Sequence, residues 1–307
     1  MSKLDDHARE LLQGAIDVHV HSAPDIVDRK ADDIMLVREA ARAGMRAVVL
    51  KCHAWPTCGR AFLLNRIVPG FRTFGGLALN ETVGGLNPRA VAAALEMGCL
   101  KIWMPTFSAA NHRRHFGRRG GLRPLADNGT GLHETVLAIL RLIARHDAVL
   151  STGHFSAEES EAVIEEALRC GVKRLTVNHP EWGVTAMPVE QQKRLAAKGG
   201  IFFERCLAST DPCVRGAVPF ETIVAQIRAV GVDTTIIATD FGQPHNPLPV
   251  EGMRIYIIRL LESGFRREEI RRMVQENPAK LLKLAPWEGA DDGPARVAET
   301  REGQRWT

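Results

Sequence analysis

The chain has 307 residues, of which 45% are hydrophobic and 25% charged, and its formal net charge at pH 7 is +4. This length accommodates two ordinary domains or one large α/β barrel, and the composition is that of an ordinary soluble globular protein. The positive charge is too small to indicate a nucleic-acid partner.

The chain begins with a polar amphipathic stretch, residues 1–13, which predicts a helix and lacks the apolar centre of a signal peptide. No apolar run in the sequence approaches the length needed to cross a membrane. The six cysteines are far sparser than in a disulfide scaffold, and none forms a pair at zinc-ribbon spacing. We therefore expect reduced thiols and a cytoplasmic protein with neither a membrane nor a nucleic acid as partner.

Eight short apolar runs follow one another along the chain, and stretches of helical periodicity separate them. Residues 47–50, for example, are apolar throughout, which is typical of a strand that is covered on both faces. The alternation of such strands with helices predicts a parallel sheet. The predicted strands lie at about 15–20, 46–51, 72–79, 99–104, 147–152, 173–178, 200–205 and 234–239.

The predicted helices carry clear boundary signals. Asn87 and Pro88 indicate a capping residue and the first helical position, and Ser156 with Glu159 forms the pattern of a capping box. Eight βα units over about 280 residues predict a single distorted (β/α)8 barrel of the TIM type, within residues 1–284. The alternative is an open doubly wound sheet, which usually has a glycine-rich turn after its first strand, whereas residues 21–25 contain no glycine.

Two segments interrupt the alternation of strands and helices. Residues 106–131 form a long insertion after the fourth strand, rich in arginine and glycine, and residues 285–307 form a polar C-terminal tail. The insertion would be either a lid that recognises an anionic substrate through its arginines, or a solvated loop or subunit contact. We also expect a homo-oligomer, because barrels of this kind often dimerise.

The ends of the predicted strands carry side chains that bind metals. In a barrel of this kind the active site lies at the C-terminal ends of the strands. His19 and His21 close the first strand and, being two residues apart, point to one side of it. His154 follows the fifth strand, His179 the sixth and Asp240 the eighth. We expect these five side chains to converge on one mouth.

Imidazole nitrogens and a carboxylate oxygen predict a divalent transition metal. Zinc fits this ligand set, and manganese, iron, cobalt and nickel are alternatives. Asp240 is the candidate that takes the proton of the attacking water and passes it to the leaving group. Each residue alone has a simpler interpretation, as a hydrogen-bonded barrel histidine or a helix cap, but their joint position favours a metal site.

The order of these motifs resembles that of the amidohydrolase superfamily, whose members share a distorted (β/α)8 barrel. Residues 237–244 and 276–282 are similar to the family's strand-eight segment and final helix, and the similarity spans about residues 15–284. The family's HxH after strand one, its histidines after strands five and six, and its aspartate after strand eight correspond to His19, His21, His154, His179 and Asp240.

What this resemblance implies is a metal-dependent hydrolase that acts on a small molecule. Metal-bound hydroxide would attack an amide, ester, lactone or phosphoester bond. The ligands would divide between two ions, with His19, His21 and Asp240 on the first and His154 and His179 on the second.

The chain departs from the family at the ligand that bridges two ions, often a carboxylated lysine after strand four. Lys101 lies early in that strand, and Glu81 after strand three is a less suitable bridge. Lys51, at the end of the second strand, is better placed, either as a carboxylated ligand or as an uncarboxylated cation near the substrate. Its simpler interpretation is a structural ion pair, so the number of ions, one or two, stays open.

Two further residues at strand ends are candidates for substrate binding. Arg205, at the end of the seventh strand, would bind an anionic group of the substrate. His53, after the second strand, would be a metal neighbour or a substrate contact.

Three alternative functions compete with the hydrolase. Some relatives with a single metal are decarboxylases or hydratases of aromatic or unsaturated acids, and one ion would favour that version. A phosphoesterase of the polymerase-and-histidinol-phosphatase (PHP) type also begins with HxH, but uses seven βα units and usually three metals. A non-enzymatic protein that binds nucleic acid through the insertion is disfavoured, because the basic segment lacks interleaved aromatic residues.

Overall fold

The computed structural model describes residues 3–126 and 131–287 of the chain. Its strands form one parallel sheet in which each strand pairs with the next in the sequence. The predicted strands are confirmed, with ends that differ by two residues at most. They are β1 (Ile16–Val20), β2 (Ala47–Leu50), β3 (Arg72–Ala78), β4 (Cys99–Trp103), β5 (Val149–Ser151), β6 (Leu175–Asn178), β7 (Ile201–Cys206) and β8 (Thr235–Ala238).

The last strand returns to the first, so that the sheet is a nearly closed barrel. The Asp17 carboxylate in β1 accepts hydrogen bonds from the backbone N–H and the hydroxyl of Thr239, just after β8. One residue further on, the Asp240 N–H donates to the carbonyl of His19 at 2.9 Å. The predicted (β/α)8 barrel is therefore confirmed. Its eighth βα unit argues against the seven-unit phosphoesterase alternative.

Helices separate the strands as the alternation predicts. Ser156 and Glu159 form a capping box, and the Asn87 side chain accepts from two backbone N–H groups, so both capping predictions are confirmed. The helices are α1 (Lys3–Leu12), α2 (Asp33–Arg42), α3 (Cys58–Ile67), α4 (Pro88–Glu96), α5 (Ala110–His115), α6 (Glu134–Arg145), α7 (Ala157–Arg169), α8 (Val189–Ala196), α9 (Phe220–Val230), α10 (Pro249–Glu262), α11 (Arg267–Arg271) and α12 (Asn277–Leu282). Short 3-10 turns cover Glu81–Val83, Leu207–Thr210 and Val232–Thr234, and a π-helical turn, Arg272–Glu276, joins α11 to α12.

The core has an inner and an outer part. Val18, Val49 and Ile236 belong to an apolar cluster against which Leu281 and Leu282 of α12 pack. Two larger clusters fill the space between the sheet and the helices. Burial of this apolar surface is the main stabilising contribution, and it fixes the strand ends on which the polar side chains stand.

The segments outside the regular alternation are partly described. The insertion contains α5, while its residues 127–130 and residues 288–307 of the predicted tail lie outside the described part. The six cysteines are free thiols. Within residues 3–126 and 131–287, no helix is long and apolar enough to cross a membrane.

Candidate metal centre

His19, His21 and Asp240 meet at the mouth of the barrel. One carboxylate oxygen of Asp240, Oδ1, lies 3.0 Å from Nε2 of His19 and 3.0 Å from Nε2 of His21. Two donors that bind one zinc ion at roughly 2.0–2.2 Å in tetrahedral geometry are separated by about 3.4 Å, so a small outward shift of these side chains would admit an ion. The three side chains therefore have the chemistry and the spacing of ligands to a single divalent ion.

His19 is oriented by a buried network beneath it. Its Nδ1 lies 2.6 Å from Oε1 of Glu204, and the Asn178 amide donates to the same oxygen at 2.7 Å. The second oxygen of Glu204 forms a short ion pair with Lys101. Burial alone would raise the pKa of Glu204, but the Lys101 charge and the hydrogen bond with His19 outweigh it and lower the pKa to about 2. Glu204 is thus a carboxylate that accepts the Nδ1 proton of His19, which leaves Nε2 as the metal-facing atom.

Asp240 and His21 are held in their functional charge states. Burial would raise the pKa of Asp240, but its interactions with His19 and His21 hold that pKa well below its ordinary value. Burial, reinforced by the charge of Arg29, lowers the pKa of His21 well below its ordinary range. Asp240 is therefore ionised and His21 is neutral at neutral pH, which are the forms that bind metals.

His154 and His179 line the same mouth but lie outside the group of His19, His21 and Asp240, whose ligand atoms lie within 4.8 Å of one another. Their ring centroids lie 5.1 Å apart, and that of His179 lies 6.3 Å from that of His19. Burial lowers the pKa of His179 to about 3 and that of His154 well below its ordinary value, so both are neutral. His154 Nδ1 faces Nδ1 of His112 at 2.8 Å, while Nδ1 of His179 is buried without a hydrogen-bond partner among the described residues. A buried ring nitrogen without a hydrogen-bond partner is unusual, and it is the arrangement expected of a nitrogen that binds a metal ion.

The backbone at the strand ends supports this interpretation. His179 has a φ of 30° and Asp240 a φ of 55°, values that residues other than glycine rarely adopt. Such conformations persist only where the surrounding structure imposes them, and they concentrate at functional sites.

Lys51 lines the mouth and contacts His19, whereas Lys101 is not among the described lining residues. Lys51 Nζ is 2.9 Å from Nε2 of His19, and burial lowers the pKa of Lys51. An uncarboxylated Lys51 and a metal ion would compete for the same lone pair of His19. Lys101 lies within the barrel in its ion pair with Glu204, so it serves to hold that carboxylate.

The two predicted substrate contacts have different outcomes. His53 lines the mouth, stacks on Phe107 with ring centroids 3.8 Å apart, and its Nδ1 lies 2.9 Å from the Thr106 hydroxyl. Arg205 is fully buried, in a short ion pair with Glu181, and is not among the described residues that line the mouth. The prediction for Arg205 was wrong, because neighbouring side chains on a strand point to opposite faces and Glu204 occupies the inner one.

A cavity of about 680 Å³ opens above these residues. The insertion forms part of its wall, so the described part of this segment lies at the mouth. Several side chains that line the cavity were not singled out as site residues from the sequence, because most of them lie on loops whose paths no periodicity defines. They include Arg29, Phe107, His112, Phe116, Arg118, Trp182, Cys213, Arg215 and His245.

Arg29 is the most informative of these unpredicted residues. Its Nη2 lies 3.1 Å from Nδ1 of His21, and the buried carboxylate of Asp25 accepts hydrogen bonds from the same guanidinium. A guanidinium can only donate, so His21 Nδ1 accepts from Arg29, and the proton of the neutral His21 ring lies on Nε2 and donates to Asp240 Oδ1. The pair therefore orients the His21 ring but favours the tautomer opposite to that of His19, and binding of an ion at Nε2 requires that proton to leave. The signal of Arg29 and Asp25 in the sequence is only a charged pair at a spacing of four residues.

The (β/α)8 barrel described above is similar to several solved structures. An amidohydrolase from Pseudomonas aeruginosa matches at a TM-score of 0.64, with 15% identity over 92% of this chain and 98% of that one. The dipeptidase AC, a metallo peptidase, matches at 0.58, with 12% identity over 88% and 98% of the two chains. 2,6-Dihydroxybenzoate decarboxylase matches at 0.53, with 11% identity over 89% and 100%. At these identities the likeness shows the fold, and it confirms the fold that the sequence resemblance implies.

A family described as "Family of unknown function (DUF6282)" matches residues 14–204, more than half of the chain, and the chain belongs to that family. The matched residues include His19 with His21, His154 with His179, and Glu204, but they end before Asp240. No curated protein matches the chain.

Proposed function

We propose that this protein is a metal-dependent hydrolase of the amidohydrolase type that acts on a small molecule. The observation that carries the proposal is the position of Asp240 Oδ1, 3.0 Å from Nε2 of both His19 and His21. The fold shared with several hydrolases supports it. So does the cavity of about 680 Å³ above these atoms, which has the volume of a small-molecule site.

The first ion would be held by His19, His21 and Asp240, and a second by His154 and His179. Zinc suits these ligands best, with manganese, iron, cobalt or nickel as alternatives. When bound, the ion supplies a Lewis acid and lowers the pKa of a coordinated water towards neutrality.

The protein's own residues have three tasks in this mechanism. Asp240, ionised in the resting state, takes a proton from the attacking water and delivers it to the leaving group. Glu204 accepts the Nδ1 proton of His19 and so directs the Nε2 lone pair of that ring towards the ion, while Arg29 orients the ring of His21. The aromatic wall of the cavity keeps bulk water away from the reacting bond, which strengthens the electrostatic interactions there.

A second candidate function is a decarboxylase or hydratase of an organic acid on the same scaffold with one metal ion. The observation that favours it is that His19, His21 and Asp240 bring their ligand atoms within 4.8 Å of one another, whereas His154 and His179 belong to no such group among the described residues. Lys101, the candidate bridge in strand four, is also engaged with Glu204. A free Lys51 cation would then neutralise the carboxylate of the substrate rather than bridge two ions.

The experiment that tests the proposal is elemental analysis of the purified protein and of matched variants. We expect about one or two transition-metal ions per chain. His21→Ala should lose metal, whereas His146→Ala should keep it, because His146 faces Glu96 at the protein surface. Protein that is isolated without metal and takes up none at micromolar concentrations would refute the proposal.

A further inference from the structure

The part of the cavity wall next to His19, His21 and Asp240, the candidate metal ligands, is built from aromatic rings. Phe107 stacks on His53, its centroid lies 5.2 Å from that of His112, and the His112 ring lies 4.6 Å from Phe116. Trp182 continues this wall: its ring centroid lies 6.0 Å from that of His112, and it packs edge-on against His179 with centroids 4.9 Å apart. These rings form a continuous apolar belt between the buried centre and solvent. A flat, unsaturated ring is the ligand shape that such a belt favours.

The outer part of the cavity is positively charged. Arg118 and Arg215 are both exposed and line the opening, and neither forms an ion pair or a side-chain hydrogen bond with another described residue. Arg215 lies over the Phe116 ring, 5.6 Å from its centroid, which keeps its guanidinium next to the aromatic belt. By contrast, Arg113 of the same insertion is paired with Glu81.

The charges that line the rest of the cavity do not cancel this excess. Asp28 and Asp240 are the two carboxylates among the described lining residues, and Asp240 is one of the candidate metal ligands. Arg29 is neutralised by its buried partner Asp25. The two rim arginines therefore face a single free carboxylate, Asp28, and they retain capacity for an anion from outside the chain.

We propose that the cavity binds a planar, ring-bearing acid whose carboxylate, distant from the reacting bond, is held by Arg118 and Arg215. The ring would lie against the wall that Phe107, His112 and Trp182 form, and the opposite end would reach Asp240 and its two histidines. This inference rests on the proposed function, because it takes the Asp240 end as the reacting end. It adds a substrate class, an aromatic or similarly flat acid with an anionic group at the end that faces solvent.

The test is isothermal titration of the full chain, at low ionic strength, with benzene-1,4-dicarboxylate (terephthalate). Two probes separate the parts of the inference: benzamide keeps the ring without the charge, and cyclohexane-1,4-dicarboxylate keeps the charges without the flat ring. We expect terephthalate to bind at least tenfold more tightly than either probe, and its affinity to fall as salt is added. Equal binding of all three, or no terephthalate binding at millimolar concentration, would overturn the inference.

Variants then assign the contacts. Arg118→Gln combined with Arg215→Gln should raise the Kd of terephthalate roughly tenfold or more and leave that of benzamide unchanged. Arg113→Gln is the matched control and should change neither value, because its side chain is paired with Glu81 away from the lining residues. Phe107→Leu should weaken terephthalate more than the cyclohexane probe. An Arg118→Gln/Arg215→Gln variant that binds terephthalate like the wild type would refute the role of the rim arginines.

Metal content measured on the same samples separates this inference from the function on which it rests. If the protein holds metal and does not discriminate among the probes, the substrate class is wrong and the hydrolase proposal stands. If it binds terephthalate through the rim arginines and holds no metal, the proposed function fails and the anion site stands.

Discussion

The buried pair of Glu204 and Lys101 gives the most quantitative prediction. All side-chain atoms of both residues are removed from solvent, and Glu204 also orients His19 through Nδ1 at 2.6 Å. A fall of the Glu204 pKa from its ordinary value of 4.5 to about 2 corresponds to about 3 kcal/mol of stabilisation of the folded state. Removal of one partner of a buried pair costs a similar amount, about 3–5 kcal/mol, because the other charge is left unpaired.

We therefore expect Glu204→Gln to lower the free energy of unfolding by about 3 kcal/mol at pH 7 and to weaken metal binding roughly 10–100-fold. Because the folded-state pKa of Glu204 is depressed, its stabilisation is present above pH 4.5 and is lost as the pH falls towards 2. Urea unfolding of the wild type and the variant, each from pH 7 down to the acid limit of folding, measures this difference. The two stability curves should converge at acid pH.

Two controls make the result interpretable. Glu165→Gln breaks an exposed ion pair with Lys198 and should cost about 0–1 kcal/mol. Lys101→Met combined with Glu204→Gln should cost less than the sum of the single changes, because no unpaired charge is then buried. A Glu204→Gln variant as stable as the wild type, with unchanged metal affinity, would refute the role given to this network.

Further predictions concern the proton shuttle, the corrected arginine and a helix cap. Asp240→Asn should reduce turnover of any substrate by roughly a hundredfold or more while circular dichroism shows an unchanged fold; undiminished turnover would remove Asp240 as the proton shuttle. Arg205→Met should lower the free energy of unfolding in urea by about 3–5 kcal/mol, because it leaves buried Glu181 without its charge partner. The Kd of cavity ligands should not change, and a changed Kd would restore Arg205 as a substrate contact. Ser156→Ala should cost about 1 kcal/mol by loss of the α7 cap, and no measurable loss would contradict the capping box.

The fold was predictable because its signals are local. Apolar runs such as 47–50 mark strands that are covered on both faces, and the caps of α4 and α7 mark where helices begin. The ligand-type residues were predictable for a related reason. A strand end in a barrel faces one mouth wherever the strand lies in the sequence.

The surroundings of the site were less predictable because they depend on tertiary contacts. Glu204 and Arg205 are adjacent at one strand end, and only the structure shows that the first points inward to His19 and the second outward to Glu181. The contact of Arg29 with His21 and the position of Phe107 depend on loop paths, which have no periodic pattern in the sequence.

The central claim is that Asp240, His19 and His21 bind one divalent ion. It is tested most directly by crystals of the metal-supplemented protein, with anomalous diffraction recorded at the absorption edge of the bound element. The account predicts a peak roughly 2.0–2.2 Å from Asp240 Oδ1 and from Nε2 of both histidines. An ordered mouth with no anomalous peak, and with Lys51 Nζ still hydrogen-bonded to His19 Nε2, would contradict it.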